Sequence, residues 1–289
     1  MLNMKSLKES LLDNDLVEKT DELIIKDKIE TFLKANYRCK GSIKISEKPN
    51  KDDLYEVSSD SVVEVTNKYI ISLTNGMFIW ATVDGSFYCN NCKFLKSLEG
   101  APQEVGGGFY CYSCNSLESL EGAPEKVEGG FSCNDCDSLT SLKGAPKKVG
   151  GGFYCVTCNS LKSLEGAPKE VGGKFNCSRC NSLESLEGAP KEVGGDFYCN
   201  INKSLKSLDD SPEKVGRDFH CHRCQSLKTL KGASQMVNGS FYCYNCNSLK
   251  SLEGAPKEIG GNFYCYNCAS EFTIEDVKKI SNVKGEIKC

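Results

Sequence analysis

The chain has 289 residues, of which 39% are hydrophobic and 26% are charged, and its formal net charge is −3. This balance excludes an intrinsically disordered chain, which would combine few apolar residues with a large net charge. The small charge does not indicate a nucleic-acid partner. No apolar run is long enough to cross a bilayer, so we expect no membrane-spanning helix.

Residues 1–38 carry apolar side chains at helical spacing, which predicts one or two amphipathic helices. The spaced residues are Leu7, Leu11, Leu12, Leu23, Ile24, Ile29, Phe32 and Leu33. Two interpretations stay open: a cap over the segment that follows, or a separate helix that docks a partner. Because Met1–Asp15 contains no apolar signal-peptide core, we expect a reducing, cytoplasmic location.

Residues 39–82 change to short alternating runs bounded by turn residues, which predicts strands. The runs read SIKIS, LYEVSS, VVEVTN and MFIWATV. Val63 and Val65, followed by Ile71 and Gly76, resemble a worn copy of the unit that repeats further along. We therefore interpret this region as a β-rich amino-terminal cap in which Trp80 is packed.

From residue 83 to residue 269 a unit close to FYCxxCxSLxSLEGAPKEVGG recurs nine times with a period of 22 residues. Its phenylalanine lies at 87, 109, 131, 153, 175, 197, 219, 241 and 263. So short a unit cannot bury a core alone, so successive units must stack into a solenoid. Alternation along the strand at Phe109 and Cys111 places both inward and Tyr110 outward. Leu117 and Leu120 are also expected inside.

The unit resembles leucine-rich repeats of the short bacterial and bacteriophage type. Phe109 and Cys111 match the second and third apolar positions of that pattern, and Cys114 matches its Asn/Cys position. Val105 departs from it, because it lies four residues before the phenylalanine rather than three. The resemblance implies a mainly β solenoid with a parallel sheet on the concave side and extended or short-helical turns on the convex side. It also suggests a host-interaction role.

The 19 cysteines raise the question of metal binding, since C-x2-C-x18-C-x2-C spacing is typical of four-cysteine zinc sites. The spacing, however, follows from the 22-residue period, and Asn202 replaces the second cysteine of one pair. Nine pairs also do not divide evenly into four-ligand sites. We expect buried thiols with no metal or cofactor. A zinc-binding array remains the alternative.

The repeats vary at two outward positions, which suggests a binding face. The aromatic residues at these positions are Tyr88, Tyr110, Tyr112, Tyr154, Tyr198, His220, His222, Tyr242, Tyr244, Tyr264 and Tyr266. Tyrosine offers a large contact area with a polar tip, so we predict that these residues bind a partner. Plain stacking between strands is the other interpretation. We expect the two histidines to be solvated or to contact the partner rather than to bind metal.

Residues 270–289 depart from the unit and predict a carboxyl-terminal cap. Thr273 and Asp276 fit a capping box that begins a short helix, with Ile274, Val277 and Ile280 facing inward. In the last segment, Ile287 takes the phenylalanine position. Glu286 and Lys288 flank it and would protect the edge against strand addition.

No set of residues in the sequence has the pattern of a catalytic site, so we expect a non-enzymatic protein that binds another protein through its tyrosine-rich face. A self-associating scaffold is a further alternative, and the oligomeric state stays open. The weakest joint is expected between residues 197 and 240. There Asn202 lacks the thiol, Asp210 and Ser211 replace Gly-Ala, and Ser234 replaces the proline.

Overall fold

The computed structural model describes residues 21–289 and shows a β-solenoid of about 11 turns. Each turn contributes one short strand to each of two sheets, and each sheet contains 12 strands. The stacked turns pair in parallel and in register, so that Phe109 lies opposite Phe131 and Val105 opposite Val127. The solenoid predicted from the 22-residue period is confirmed.

Sheet A contains the phenylalanine strands. Its order is β1 (Tyr37–Cys39), β4 (Val63–Val65), β6 (Phe87–Tyr88), β8 (Phe109–Tyr110), β10 (Phe131–Ser132), β12 (Phe153–Tyr154), β14 (Phe175–Asn176), β16 (Phe197–Tyr198), β18 (Phe219–His220), β20 (Phe241–Tyr242), β22 (Phe263–Tyr264) and β24 (Ile287–Lys288). Only β1 pairs antiparallel within this sheet of the described chain.

Sheet B contains the valine strands. Its order is β2 (Ile43–Ile45), β3 (Tyr55–Ser59), β5 (Phe78–Val83), β7 (Glu104–Val105), β9 (Lys126–Val127), β11 (Lys148–Val149), β13 (Glu170–Val171), β15 (Glu192–Val193), β17 (Lys214–Val215), β19 (Met236–Val237), β21 (Glu258–Ile259) and β23 (Asn282–Val283). Within the repeats the sequence predicted a strand only at the phenylalanine, so the continuation of this sheet through the valine strands is a finding of the structure.

A corner of three residues, rich in glycine, joins the valine strand to the phenylalanine strand of each turn. Valine therefore lies four residues before phenylalanine. A Cβ added to Gly151 would lie 2.7 Å from the carbonyl carbon of Gly129 in the preceding turn. At Gly151 the corner backbones of adjacent turns therefore approach too closely for a side chain.

The core consists of columns that run along the solenoid. Phenylalanine rings stack at 5.2 Å between Phe131 and Phe153, with an interplanar angle of 5°. From Phe197 onward the rings tilt, and the angle to Phe219 is 43°. Most of the repeated leucines and cysteines, such as Leu117, are fully buried beside them. Burying a leucine or phenylalanine contributes roughly 1.5–3 kcal/mol, so each turn adds its own increment to stability.

At the amino-terminal end a helix, α1, covers residues 21–36 of the described chain. Ile29 and Leu33 are buried in the same core as the repeats, and Phe32 lies 5.9 Å from Phe78. This part of the helix therefore packs against the first turns of the solenoid. Leu7, Leu11 and Leu12 lie outside the described residues.

The worn copy of the repeat is confirmed at Val63, which lies opposite Phe87 in sheet A. Trp80 is buried and contacts Phe87 edge-on at 5.9 Å, as predicted. Ile71 takes no core position, because it is 77% exposed while Ile70 and Leu73 are buried.

At the other end, α2 (Ile274–Lys278) begins with the predicted capping box between Thr273 and Asp276. Ile287 lies opposite Phe263, which confirms its place in the phenylalanine column. The prediction that Ile274 and Ile280 face inward is wrong: they are 46% and 40% exposed, and only Val277 of the three is buried. The helix has little more than one turn, so a single residue reaches the core.

Candidate binding face

The outer side of sheet A carries the two variable positions of the repeat. The first directly follows the phenylalanine, and the second directly follows the first cysteine of each pair. Because side chains alternate along a strand, both positions point away from the core. Their tyrosines and histidines are mostly half-buried, and Tyr112 is the most exposed at 39%.

The carboxyl-terminal half of this surface carries seven of the eleven predicted residues in two adjacent rows, here called the aromatic face. The first row is Tyr198, His220, Tyr242 and Tyr264, and the second is His222, Tyr244 and Tyr266. Ring centroids within each row are 4.2–4.8 Å apart, with interplanar angles of 4–11°. His220 also contacts His222 edge-on at 5.7 Å across the rows.

The other predicted residues do not join this face. Tyr88 and Tyr110 stack on each other at 4.8 Å. Tyr154 has no aromatic neighbour in the first row, because Ser132 and Asn176 occupy the adjacent turns. The eleven residues therefore do not form one continuous ladder.

A polar row beside the aromatic face was missed by sequence reasoning. It occupies the position before the phenylalanine, where Gly108, Gly130 and Gly152 give way to Lys174, Asp196, Asp218, Ser240 and Asn262. Asp218 and Ser240 each accept a hydrogen bond from the backbone N–H of the same position in the next turn, at 2.7 and 3.0 Å. In the sequence, the signal for this polar row is the replacement of glycine by hydrogen-bonding side chains at the position before the phenylalanine.

This polar row also fixes the charges and hydroxyl groups at the rim of the aromatic face. Lys174 forms an ion pair with Asp196 at 2.9 Å, and the Tyr198 hydroxyl donates to Asp196 at 3.2 Å. The Asn262 amide donates to the Tyr264 hydroxyl at 2.8 Å. Burial raises the pKa of the Tyr198 phenol, and the negative charge of Asp196 raises it further.

The two histidines are packed between their neighbours in the aromatic face and are half-buried. Burial lowers the pKa of His220, although Asp218 and Asp196 act in the opposite direction. Burial, together with the nearby His220 and Arg223, lowers the pKa of His222 to about 4. Both rings are therefore neutral at pH 7, where they stack like their tyrosine neighbours.

The cysteines form two buried columns beneath this face. From Cys114 onward, each second-column thiol donates to the carbonyl of the first-column cysteine one turn earlier; examples are Cys114 to Cys89 at 3.1 Å and Cys180 to Cys155 at 3.0 Å. Burial raises the pKa of Cys224 to about 12. Such protonated thiols are poor nucleophiles and poor metal ligands.

Asn202 takes the place of a second-column cysteine and makes the same contact. Its amide donates to the Cys177 carbonyl at 3.1 Å and to the Cys199 carbonyl at 2.9 Å, and its oxygen accepts from the Cys180 backbone N–H at 2.7 Å. The position therefore requires a buried hydrogen-bond donor rather than a sulfur. Within residues 21–289 no group of three or more histidine, cysteine, aspartate or glutamate side chains has an arrangement that would hold a metal ion.

Comparison with protein families, curated proteins and solved structures found no match for this chain. Among residues 21–289, no helix has the length and apolar character needed to cross a membrane.

Proposed function

We propose that this solenoid is a non-enzymatic binding protein and that the aromatic face binds another protein. The observation that carries this proposal is the pair of adjacent, half-exposed aromatic rows over the last turns of the array. Tyrosine is enriched where proteins bind each other, because it combines apolar area with a hydroxyl that can form hydrogen bonds.

The stacking supports binding because it limits the motion of each ring before a partner arrives. A ring held between two neighbours, such as Tyr242 between His220 and Tyr264, has little rotamer freedom to lose on binding. Because the rings stack face to face, their faces are covered by one another and a partner meets mainly their edges. A partner with hydrogen-bonding groups and apolar side chains fits such a surface better than one that requires open ring faces.

The environment of the nucleophilic groups supports a non-enzymatic role. The repeated thiols are buried, and burial raises the pKa of Cys199, Cys221 and Cys243 well above the ordinary value. A catalytic thiol needs the reverse shift and access to substrate.

We also propose that the repeats are related to leucine-rich repeats of the bacterial and bacteriophage type, with sheet A on the concave side and the two ends as caps. The interchange of asparagine and cysteine at one buried, hydrogen-bonding position supports this relation. The proposal also places the protein in a reducing cytoplasm, where the cysteine columns remain thiols. It further assigns the protein a host-interaction role.

The test is quantitative partner capture with a variant carrying Tyr→Ala at 242, 244, 264 and 266. The control is Tyr69→Ala/Phe94→Ala, which removes two exposed aromatic residues that stack at 6.0 Å near the amino-terminal end. We expect the first variant to lose proteins that both the wild type and the control retain, with all three chains folded by circular dichroism. An unchanged set of captured proteins would overturn the proposal.

A further inference from the structure

A groove lies between α1 and the strands β1 and β2, far along the chain from the aromatic face. Its volume is about 530 Å³. Sites for small molecules in proteins usually have volumes of about 300–1,000 Å³ and are lined mainly by apolar side chains, with a few polar groups that fix the orientation of the ligand. The groove has the size of such a site, and its lining decides which ligand it fits.

Most of the lining is apolar. Strand alternation places Ile43 and Ile45 on the same side of β2, and both side chains line the groove. They pack against the core on one side and remain half-buried. Leu33 of α1 and the ring of Tyr37 complete this apolar surface. The Tyr37 hydroxyl donates to the Leu73 carbonyl at 2.6 Å, so the ring contributes apolar area and no unpaired polar group.

The charged side chains of the groove come from α1. Lys26 lines it, and its Nζ donates to the Glu47 backbone carbonyl at 2.8 Å. Among residues 21–289 no carboxylate forms an ion pair with Lys26. Lys34 pairs with Glu30 at 3.1 Å, and both of these side chains are largely exposed. The lining therefore carries two positive charges and one negative charge, which favours a ligand with a single negative group.

We propose that this groove binds a free fatty acid. The alkyl chain lies against Ile43, Ile45 and Leu33 and removes their exposed apolar area from water, which is the main source of affinity. The carboxylate lies beside Lys26 and Lys34, where it accepts charge-assisted hydrogen bonds. An amphiphile with a cationic head has the same apolar chain but is repelled by the two lysines, so the charge of the groove selects the carboxylate.

Cys39 provides a chemical probe inside the groove. Its thiol belongs to the lining, is partly exposed, and lies 2.9 Å from the Ser59 hydroxyl oxygen. An alkyl chain in the groove covers this sulfur, so binding can be followed as slower reaction with a thiol reagent. Cys268 is also partly exposed but lies in the last repeat, so it serves as the reference within the same molecule.

The experiment measures maleimide labelling of the whole chain by peptide mass spectrometry, with sodium dodecanoate added below the concentration at which it forms micelles. We expect labelling of Cys39 to slow by about fivefold or more at saturation, because the bound chain blocks access, and labelling of Cys268 to stay unchanged. Dodecyltrimethylammonium has the same alkyl chain and the opposite charge. We expect it to need a concentration about tenfold higher or more for equal protection.

Variants of the lysines test the role of charge. Lys26→Gln/Lys34→Gln neutralises both positive charges and leaves the apolar lining intact. We expect the dodecanoate concentration for half-protection of Cys39 to rise by about fivefold. The matched control is Lys40→Gln/Lys44→Gln, which neutralises two exposed lysines that lie next to the groove in sequence and outside its lining. We expect this control to bind dodecanoate like the wild type.

Several results would contradict the fatty-acid site. They are no slowing at Cys39, an equal slowing at Cys268, equal protection by the cationic amphiphile, or the same half-protection in both lysine variants. A Cys39 that reacts as slowly as the buried cysteines before dodecanoate is added would also contradict it, because another occupant, such as residues 1–20 or a second copy, would then cover the groove. The aromatic face takes no part in this experiment, so its result is independent of the proposed function.

Discussion

At the scale of single residues, the structure shows that hydrogen-bonding capacity decides which substitutions the core accepts. Asn202 was expected to weaken its turn because it lacks a thiol, yet it forms three hydrogen bonds to backbone groups. A buried amide is tolerated when its polar atoms are satisfied. Asn202 therefore gives no reason for a weak joint between residues 197 and 240.

His220 and His222 give the aromatic face a stability that depends on pH. An unfolded histidine binds a proton near pH 6.5, whereas the pKa of folded His222 is about 4. Between these values the unfolded chain binds more protons, so stability is complete above the unfolded pKa and is lost as pH falls towards the folded pKa. The charged groups that act on the two rings are Asp218, Asp196, Lys174 and Arg223.

We therefore predict that His220→Tyr/His222→Tyr, which copies Tyr242 and Tyr244 of the next turn, reduces the fall in melting temperature between about pH 7 and pH 5. Aspartates and glutamates titrate mainly below this window, so they add little to the difference. Melting curves of the wild type and the variant at both pH values measure the effect. Equal falls in both chains would show that the histidines are not responsible.

At the scale of the elements, each turn of the solenoid depends on a few residues with special backbone conformations. The glycine of the segment that reads Glu-Gly-Ala-Pro in most repeats adopts a positive φ, such as +86° at Gly188 and +85° at Gly232, where the segment reads Lys-Gly-Ala-Ser. Asp210 occupies this position in the turn between them and has φ of 65°. A side chain in this left-handed region is strained, although aspartate tolerates it better than most residues.

Replacing Asp210 with glycine is therefore predicted to stabilise the protein by about 0.5–1 kcal/mol. The reciprocal change, Gly188→Asp, should destabilise it by more, because a Cβ there would lie 2.6 Å from the Cα of Glu165. The midpoints of urea denaturation of both variants measure the two effects. No gain at Asp210 together with no loss at Gly188 would refute the conformational argument.

At the scale of the whole molecule, the sequence predicted the architecture well and the surface less well. A 22-residue period with fixed apolar positions leaves stacking as the way to bury each unit, so Phe109 and Leu117 were placed correctly. Sheet B was missed because a two-residue strand has no periodicity of its own. The grouping of the aromatic residues was also missed, since it depends on which turns carry Ser132 and Asn176 and not on the repeat itself.

The cysteine columns give a prediction that involves the entire chain. Of the 19 cysteines, Cys289 is exposed and Cys39 and Cys268 are partly exposed, while the rest are buried. We predict that a thiol reagent applied to dilute native protein labels Cys289 rapidly and Cys39 and Cys268 more slowly. The buried cysteines should react only as the solenoid unfolds, because a buried thiol is protonated and inaccessible.

This experiment also separates core thiols from a zinc-binding array. Core thiols are protected by packing, so their labelling should follow denaturant and be independent of a chelator. Thiolates bound to zinc would instead be released by the chelator alone, because removing the metal exposes deprotonated, reactive sulfur. Rapid labelling of many cysteines after chelation, with the chain otherwise in native buffer, would mean that metal and not packing joins neighbouring turns.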